Sequence, residues 1–463
     1  MSATPLPAPL PSSGAAPGPL RLVVRTARID ALPGGLTALT DLLPDTRPLA
    51  WVRKGDGIVG WGEALRFDTF GPGRFADAES AWQATLARAV VRDDVDLPGT
   101  GPIAFGTFAF DDDAPGEDHF SADDGERVRP DGSLVVPRVV VGRRGDVAWM
   151  TTISTAGGLD VAPGEEALSQ LERARVRPPG AVSFADGAVA AQDWPALVTE
   201  AVERIQAGEL EKVVLARDVV ATTEHAVDPR WLLTRLAGAY DACWTFSVAG
   251  MVGATPELLV RSEKGLVTSR VLAGTIRREP GMSEDDALLH AAQLARSSKD
   301  LEEHEYAVAS VAHALEHYCT SMNVPDSPFV LHLPNVMHLA SDVTGVLDRS
   351  GLYNGGRPPS SLALAAALHP SAAVCGTPTV AARELIREIE GMDRSRYAGP
   401  VGWVGAGGDG EWGIALRSAE LSETDPHHVR LFAGCGIVAA SDPQAELAES
   451  EAKLLPMRWA LGS

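Results

Sequence analysis

Apolar positions follow two different periods along this chain, and the balance between them shifts near residue 190. Between residues 21 and 190 short β-like runs prevail, among them RLVVRTARI, SLVVPRVVVG and VAWMTTIS. Runs rich in β-branched residues and bounded by polar turns predict strands. Acidic loops such as FDDDAPGEDHFSADDGE separate them, and an Arg- and Pro-containing stretch between Leu171 and Gln192 reads as a connection or rim. From Trp194 the texture is denser. WPALVTEAVERIQAGE carries a helical apolar stripe, KVVLARDVVAT a strand pattern, and a strand pair surrounds WTFSVAGMVGATPELLVR. A long helical region is predicted from Ser283 to His317 and another helix after Pro378. Short strands are predicted around YAGPVGWV, EWGIALRSAEL and HVRLFAGCGIV. Helices and strands do not alternate regularly, which predicts an α+β fold with large sheets rather than a doubly wound parallel one.

The last helix carries the sharpest pattern. In AGCGIVAASDPQAELAESEAKL a Gly-x-Gly turn leads to Ser441, Asp442 and Pro443, a helix cap followed by a first-turn proline. Glu446, Glu449 and Lys453 then follow at helical spacing, on one arc beside Leu447 and Leu454. Two carboxylates and an ammonium on an apolar edge can hold a hard cation together with an anion. They are equally the ingredients of a solvated ion-pair helix. Within SSKDLEEHE, Ser297 and Asp300 resemble a capping box, so a helix restarts there. Asp300 and Glu303 then share a face, with Leu301, Val308, Val311 and Leu315 as the buried stripe. Together the two helices offer four carboxylates, a donor set that suits Mg²⁺.

Composition narrows the field. Forty basic against sixty-two acidic residues give a net charge of −22 over 463 residues, which excludes nucleic acid as a partner. Cys243, Cys319, Cys375 and Cys435 form no CxxC pair, as expected of a reducing, cytoplasmic setting. Residues 1–20 read as a Pro/Ala-rich disordered tail without the features of a signal peptide. No apolar run approaches the roughly 18 residues that span a membrane.

Further candidates are Lys212, opening KVVLARDV, and Glu257, following Pro256 in GATPELL. Each alone is an ordinary solvated charge; together they are a base and an acid of the right types. Arg417 inside IALRSAEL needs an anionic partner. The glycines of LAGT and GCG are read as turns able to present N–H groups to an anion. His304 and His338 lack metal-ligand spacing and read as core or hydrogen-bonding histidines.

Taken in order, KVVLAR, GATPELL, LAGTIRR, SSKDLEEHE, HLASDVTG, HPSAAVCGTP, RYAGPVGW, IALRSAEL and AGCGIV…E..E…K form a set that resembles the chorismate-utilising enzymes, and among them most closely the isochorismate synthases. The resemblance covers residues 192–463. It implies large antiparallel sheets packed in a sandwich flanked by helices. Residues 21–190 would be the variable half of that fold, forming one structural unit with the chorismate-binding region, 191–463. It further implies a monomer acting on chorismate with Mg²⁺. By resemblance, Lys212 is the base that activates water and Glu257 the acid that protonates the departing hydroxyl. Glu303 and Glu449 match metal ligands, with Asp300 and Glu446 acting through water. Gly274, Thr275, His338 and Lys453 lie near the ring carboxylate; Tyr397, Arg417 and Gly436 match positions that hold the enolpyruvyl carboxylate.

Three positions discriminate within the family. Aminating relatives carry glutamine where Lys212 stands, and one type carries a nucleophilic lysine where this chain has Ala273. HPSAAVCGTPTVAA, from His369 to Ala382, resembles the isochorismate synthase pattern rather than the GAPK-like turn of aminating and salicylate-forming relatives. Salicylate synthase remains the alternative, since it shares the Lys/Glu pair. A catalytically silent chorismate-binding homologue would show decay at the acid, base or metal positions, and every one is filled.

Overall fold

The computed structural model describes residues 21–44, 47–112, 129–156, 174–278, 282–350, 358–422 and 424–462. The Pro/Ala-rich tail, most of the acidic loop after Asp111 and the start of the Leu171–Gln192 connection lie outside the described residues.

Hydrogen bonding links the described strands into one continuous sheet. Among the described pairs only Arg21–Ile29 with Val90–Asp93 is parallel. The sheet forks at the long strand Gly132–Arg144, which pairs Asp56–Thr69 on one edge and Ile103–Phe108 on the other. From the first edge one limb runs through Leu49–Arg53, Trp244–Val248, Met251–Thr255, Ser418–Leu421 and His428–Ile437 to Lys212–Thr223. From the second, the other limb runs through Pro400–Gly405, Gly410–Ile414, Leu258–Glu263 and Leu266–Arg277 to Val336–Leu347. Alternation along the strands decides what each limb buries. Trp51, Phe105, Trp149, Trp244, Phe246 and Trp403 form one apolar cluster drawn from both limbs, the filling of the sandwich. Ala50 and Val52, the alternate positions beside Trp51, pack into a second cluster with Leu232, Leu236, Leu454 and Met457. Those four residues belong to the helices Pro229–Ala239 and Pro443–Leu461, which cover that limb. Ser298–Glu316 packs against Leu266–Arg277 of the other limb. The expected helix-flanked antiparallel sandwich is what forms.

The chain crosses between the limbs at two places that matter. Pro256 and Glu257 lead from Met251–Thr255 to Leu258–Glu263; Ala415 to Arg417 lead from Gly410–Ile414 back to Ser418–Leu421. The crossovers are tied together: Ile414 N–H donates to Glu257 O at 3.3 Å, and Ala254 N–H to Arg417 O at 3.2 Å.

Several local expectations change. Ser283 to His317 is two helices, Glu284–Leu294 and Ser298–Glu316, and Ser297 Oγ caps the second by accepting from Asp300 N–H at 3.3 Å. Its buried stripe is His304, Ala307, Val311 and Leu315, while Leu301 and Val308 are half-buried. GCG is the interior of the strand His428–Ile437, not a turn. LAGT likewise lies within a strand, where Gly274 at φ +77° makes a bulge opposite His338 and Leu339. Arg417 stands outside any strand at φ +48°, because the chain turns there from one limb to the other. Among the described residues no helix is long and apolar enough to cross a membrane.

Candidate active site

A cavity of ≈ 650 Å³, its open mouth included, lies where the crossovers meet the Lys212–Thr223 and His428–Ile437 strands and the two acidic helices. Glu257, Gly274, Thr275, Glu303, His338, Tyr397, Arg417, Gly436 and Lys453 all line it. The segments that carry them are as far apart in sequence as residues 257 and 453.

Lys212 is fully buried rather than exposed at its strand start, and it lies behind the cavity-lining residues Glu303 and Gly436 rather than on the wall itself. Its Nζ lies 3.3 Å from Glu303 Oε1 and donates to Glu303 O at 3.5 Å. Room for this pair comes from Gly436: a Cβ there would stand 2.0 Å from Glu303 Oε1 and 3.1 Å from Lys212 Cε. Glycine is required in that strand for close approach, not for turning.

Glu257 is buried, and its Oε1 accepts from Leu272 N–H at 3.5 Å. Burial pushes its carboxyl up to about 8, so it is protonated at neutral pH. Arg417 donates from Nη2 to His338 Nε2 at 2.8 Å, and His338 Nδ1 is 3.1 Å from Thr275 Oγ1. The imidazole therefore carries its proton on Nδ1 and gives it to Thr275. Burial, then the Arg417 charge, hold its pKa well below the usual histidine range. Arg417 Nη1 is buried and has no hydrogen-bond partner among the described residues. An unsatisfied guanidinium donor on a cavity wall is a docking point for a carboxylate. Tyr397 stacks on Phe432 with ring centroids 4.9 Å apart, which fixes its hydroxyl direction.

Of the four predicted carboxylates Glu303 lines the cavity, Asp300 and Glu449 touch its lining residues Thr275 and Lys453, and Glu446 lies near Glu449; each of the three glutamates stands beside a lysine. Glu303 faces Lys212, Glu446 Oε1 lies 2.5 Å from Lys299 Nζ, and Glu449 Oε1 lies 2.6 Å from Lys453 Nζ. Asp300 Oδ1 accepts from Thr275 N–H at 3.3 Å. Burial, followed by repulsion from Glu449, raises Glu446 to about 7; burial, with Glu303 and Glu449 adding, raises Asp300. Crowded, mutually repelling oxygen donors fit a hard divalent cation, which would relieve that repulsion. Cys435 Sγ joins Glu446 and Glu449 in a group whose ligand atoms all lie within 4.8 Å of one another. Its thiol donates to Glu446 O at 3.3 Å and is held neutral by burial, which makes it a poor partner for a hard ion.

Lys299, Cys435 and Arg394 are wall or cluster residues that the sequence did not single out. Lys299 and Cys435 had a visible signal, each standing next to a candidate, Asp300 and Gly436; Arg394 had none. His304 proves a core histidine: Nδ1 meets Ala273 O at 3.2 Å, Nε2 meets Ser341 Oγ at 2.9 Å, and burial lowers it to about 4.

A family model described as chorismate binding enzyme matches residues 45–462. The chain belongs to the chorismate-binding enzymes. A salicylate biosynthesis isochorismate synthase of Pseudomonas aeruginosa is 36% identical over 431 residues, covering 90% of this chain and 85% of that one. The isochorismate synthase MenF of Bacillus subtilis is 30% identical over 426 residues, covering 88% and 85%. The solved structure of MenF, the menaquinone-specific isochorismate synthase of Escherichia coli, aligns with a TM-score of 0.73 at 24% identity over 96% of this chain and 95% of that one. At that identity the likeness speaks for the fold. In this chorismate-binding enzyme the HPSAAVCGTP segment reaches the site, where Ala373 and Val374 line the cavity.

Proposed function

We propose that this chorismate-binding enzyme is an isochorismate synthase, a Mg²⁺-dependent isomerase that moves the ring hydroxyl of chorismate from C4 to C2 by adding one water and losing another. The observation that carries the reading is the buried Glu257, protonated at neutral pH and facing the same cavity as the unpartnered Arg417 donor. Lys212 takes the proton from the water attacking C2. As the C2–O bond forms, both ring double bonds shift, C1=C2 to C1=C6 and C5=C6 to C4=C5, the C4–O bond breaks, and Glu257 gives its proton to the departing C4 oxygen, which leaves as water. Tyr397, Arg417 and Gly436 hold the enolpyruvyl carboxylate; Gly274, Thr275, His338 and Lys453 flank the ring carboxylate. Mg²⁺, held by Glu303 and Glu449 with Asp300 and Glu446 acting through water, would neutralise that ring carboxylate. Arg417 and the ion together answer how a chain of net charge −22 receives a dianion. The proposal includes a cytoplasmic monomer, with isochorismate passing to menaquinone or siderophore synthesis. The experiment that tests the mechanism is turnover in H₂¹⁸O. One label should appear in the isochorismate hydroxyl; unlabelled product would rule out water as the nucleophile.

Two substitutions probe the clamp and the ion. Arg417→Lys removes the fork that grips a carboxylate, so KM should rise about 10- to 100-fold, the equivalent of one charge-assisted hydrogen bond or two. Steady-state kinetics check this, and an unchanged KM would take Arg417 out of the substrate contact. Glu303→Gln should weaken Mg²⁺ binding, read by calorimetric titration, together with activity. An unchanged Mg²⁺ isotherm would remove Glu303 from the ligand set.

A further inference from the structure

Arg394 lies on the cavity wall but has none of the roles above. Its guanidinium is buried and almost fully used. Nε donates to Glu390 Oε2 at 2.8 Å, Nη1 to Val374 O at 2.9 Å, and Nη2 to both Val214 O at 2.6 Å and Glu390 Oε1. Glu390 Oε1 accepts in turn from Ala216 N–H at 2.7 Å. The guanidinium carbon also sits 4.3 Å from the centre of the Phe110 ring. One ion pair thus fastens the strand that begins with Lys212, the HPSAAVCGTP segment and the end of the Thr379–Ile389 helix. Val214 and Val374, whose carbonyls it holds, both line the cavity.

We propose that Arg394 is a positioning residue for the base: through Val214 O and Val374 O it braces the Lys212 strand against the adjoining segment, with which that strand also pairs through Val214 N–H and Cys375 O at 2.7 Å, so that Lys212 stays aligned with the substrate. The inference rests on the proposed isochorismate synthase reading. A buried ion pair is a weak source of net stability, so what this one contributes is geometry. A planar fork of five N–H groups can serve two carbonyls and both oxygens of a carboxylate at once; a lysine ammonium, with three donors, cannot make all four bonds. Misplacement of a catalytic group by about 1 Å costs on the order of 10²-fold in rate.

The test is Arg394→Lys in the full chain, assayed with chorismate and Mg²⁺, with folding followed by near-UV circular dichroism and thermal melting. A folded R394K whose kcat falls about 100-fold while KM stays within about threefold is the expected result. A merely structural role would lower the melting temperature and leave kcat per folded molecule unchanged. A folded R394K with kcat within about twofold of wild type, or with its loss confined to KM, overturns the proposal. Should R394K fail to fold, Glu390→Gln carries the test. It spares both carbonyl bonds but loosens their anchor, so kcat should drop about tenfold at unchanged KM, and a wild-type kcat overturns the role. A wild-type chain that forms no isochorismate would sink the functional reading itself; an active wild type beside an unimpaired variant sinks only the positioning role.

Discussion

Lys212→Ala is expected to lower kcat by about 10²- to 10⁴-fold, the usual contribution of a positioned base, while the chain remains folded. The side chain is buried, so the substitution removes methylenes and the amine nitrogen that faces Glu303. Glu303 itself lines the cavity, where water or a cation can replace that partner. The damage therefore falls on the chemistry more than on the core. Circular dichroism and kcat measured on the same preparation check it. A folded K212A turning over near the wild-type rate would remove Lys212 from the mechanism.

The second large effect concerns Glu257 and is read through pH. Burial raises its carboxyl from 4.5 to about 8. An acid catalyst must hold its proton, so wild-type kcat should fall as pH rises through about 8. Glu257→Gln should cost about 10²- to 10⁴-fold in kcat and abolish that limb in whatever activity remains. Stability has a matching sign. Between 4.5 and about 8 the folded chain binds the proton that the unfolded chain has lost, so this group makes the wild type progressively less stable as pH climbs through that window. E257Q should lack that decline in denaturant titrations at several pH values. A wild-type alkaline limb retained in E257Q would assign it to another group.

Much of this site was readable because its chemistry is local. The 443–461 helix follows from Asp442 and Pro443, and the arc of Glu446, Glu449 and Lys453 follows from helical spacing; the Lys453–Glu449 pair at 2.6 Å confirms that they share a face. The helix restart at Ser297 was legible for the same reason. What sequence could not give is set by distant partners. Arg417 looked like a strand residue because apolar alternation surrounds it, yet it occupies a left-handed crossover that exists only because two limbs of the sheet meet there. GCG looked like a turn because glycine usually signals one, whereas Gly436 is there to admit Glu303 and Lys212. Burial of Lys212 depends on that same encounter, 91 residues away along the chain. Assignment of roles to acid, base and clamp came from the ordered motifs, and the closeness of those residues came from the fold.

The central claim is hydroxyl exchange without loss of the enolpyruvyl group. Its most direct measurement is incubation of the purified protein with chorismate and Mg²⁺, without ammonia, followed by chromatographic separation of the products. Isochorismate approaching equilibrium with chorismate, with no pyruvate released, is the result the account predicts. Salicylate with stoichiometric pyruvate, or no turnover by a folded, Mg²⁺-supplied chain, would contradict it.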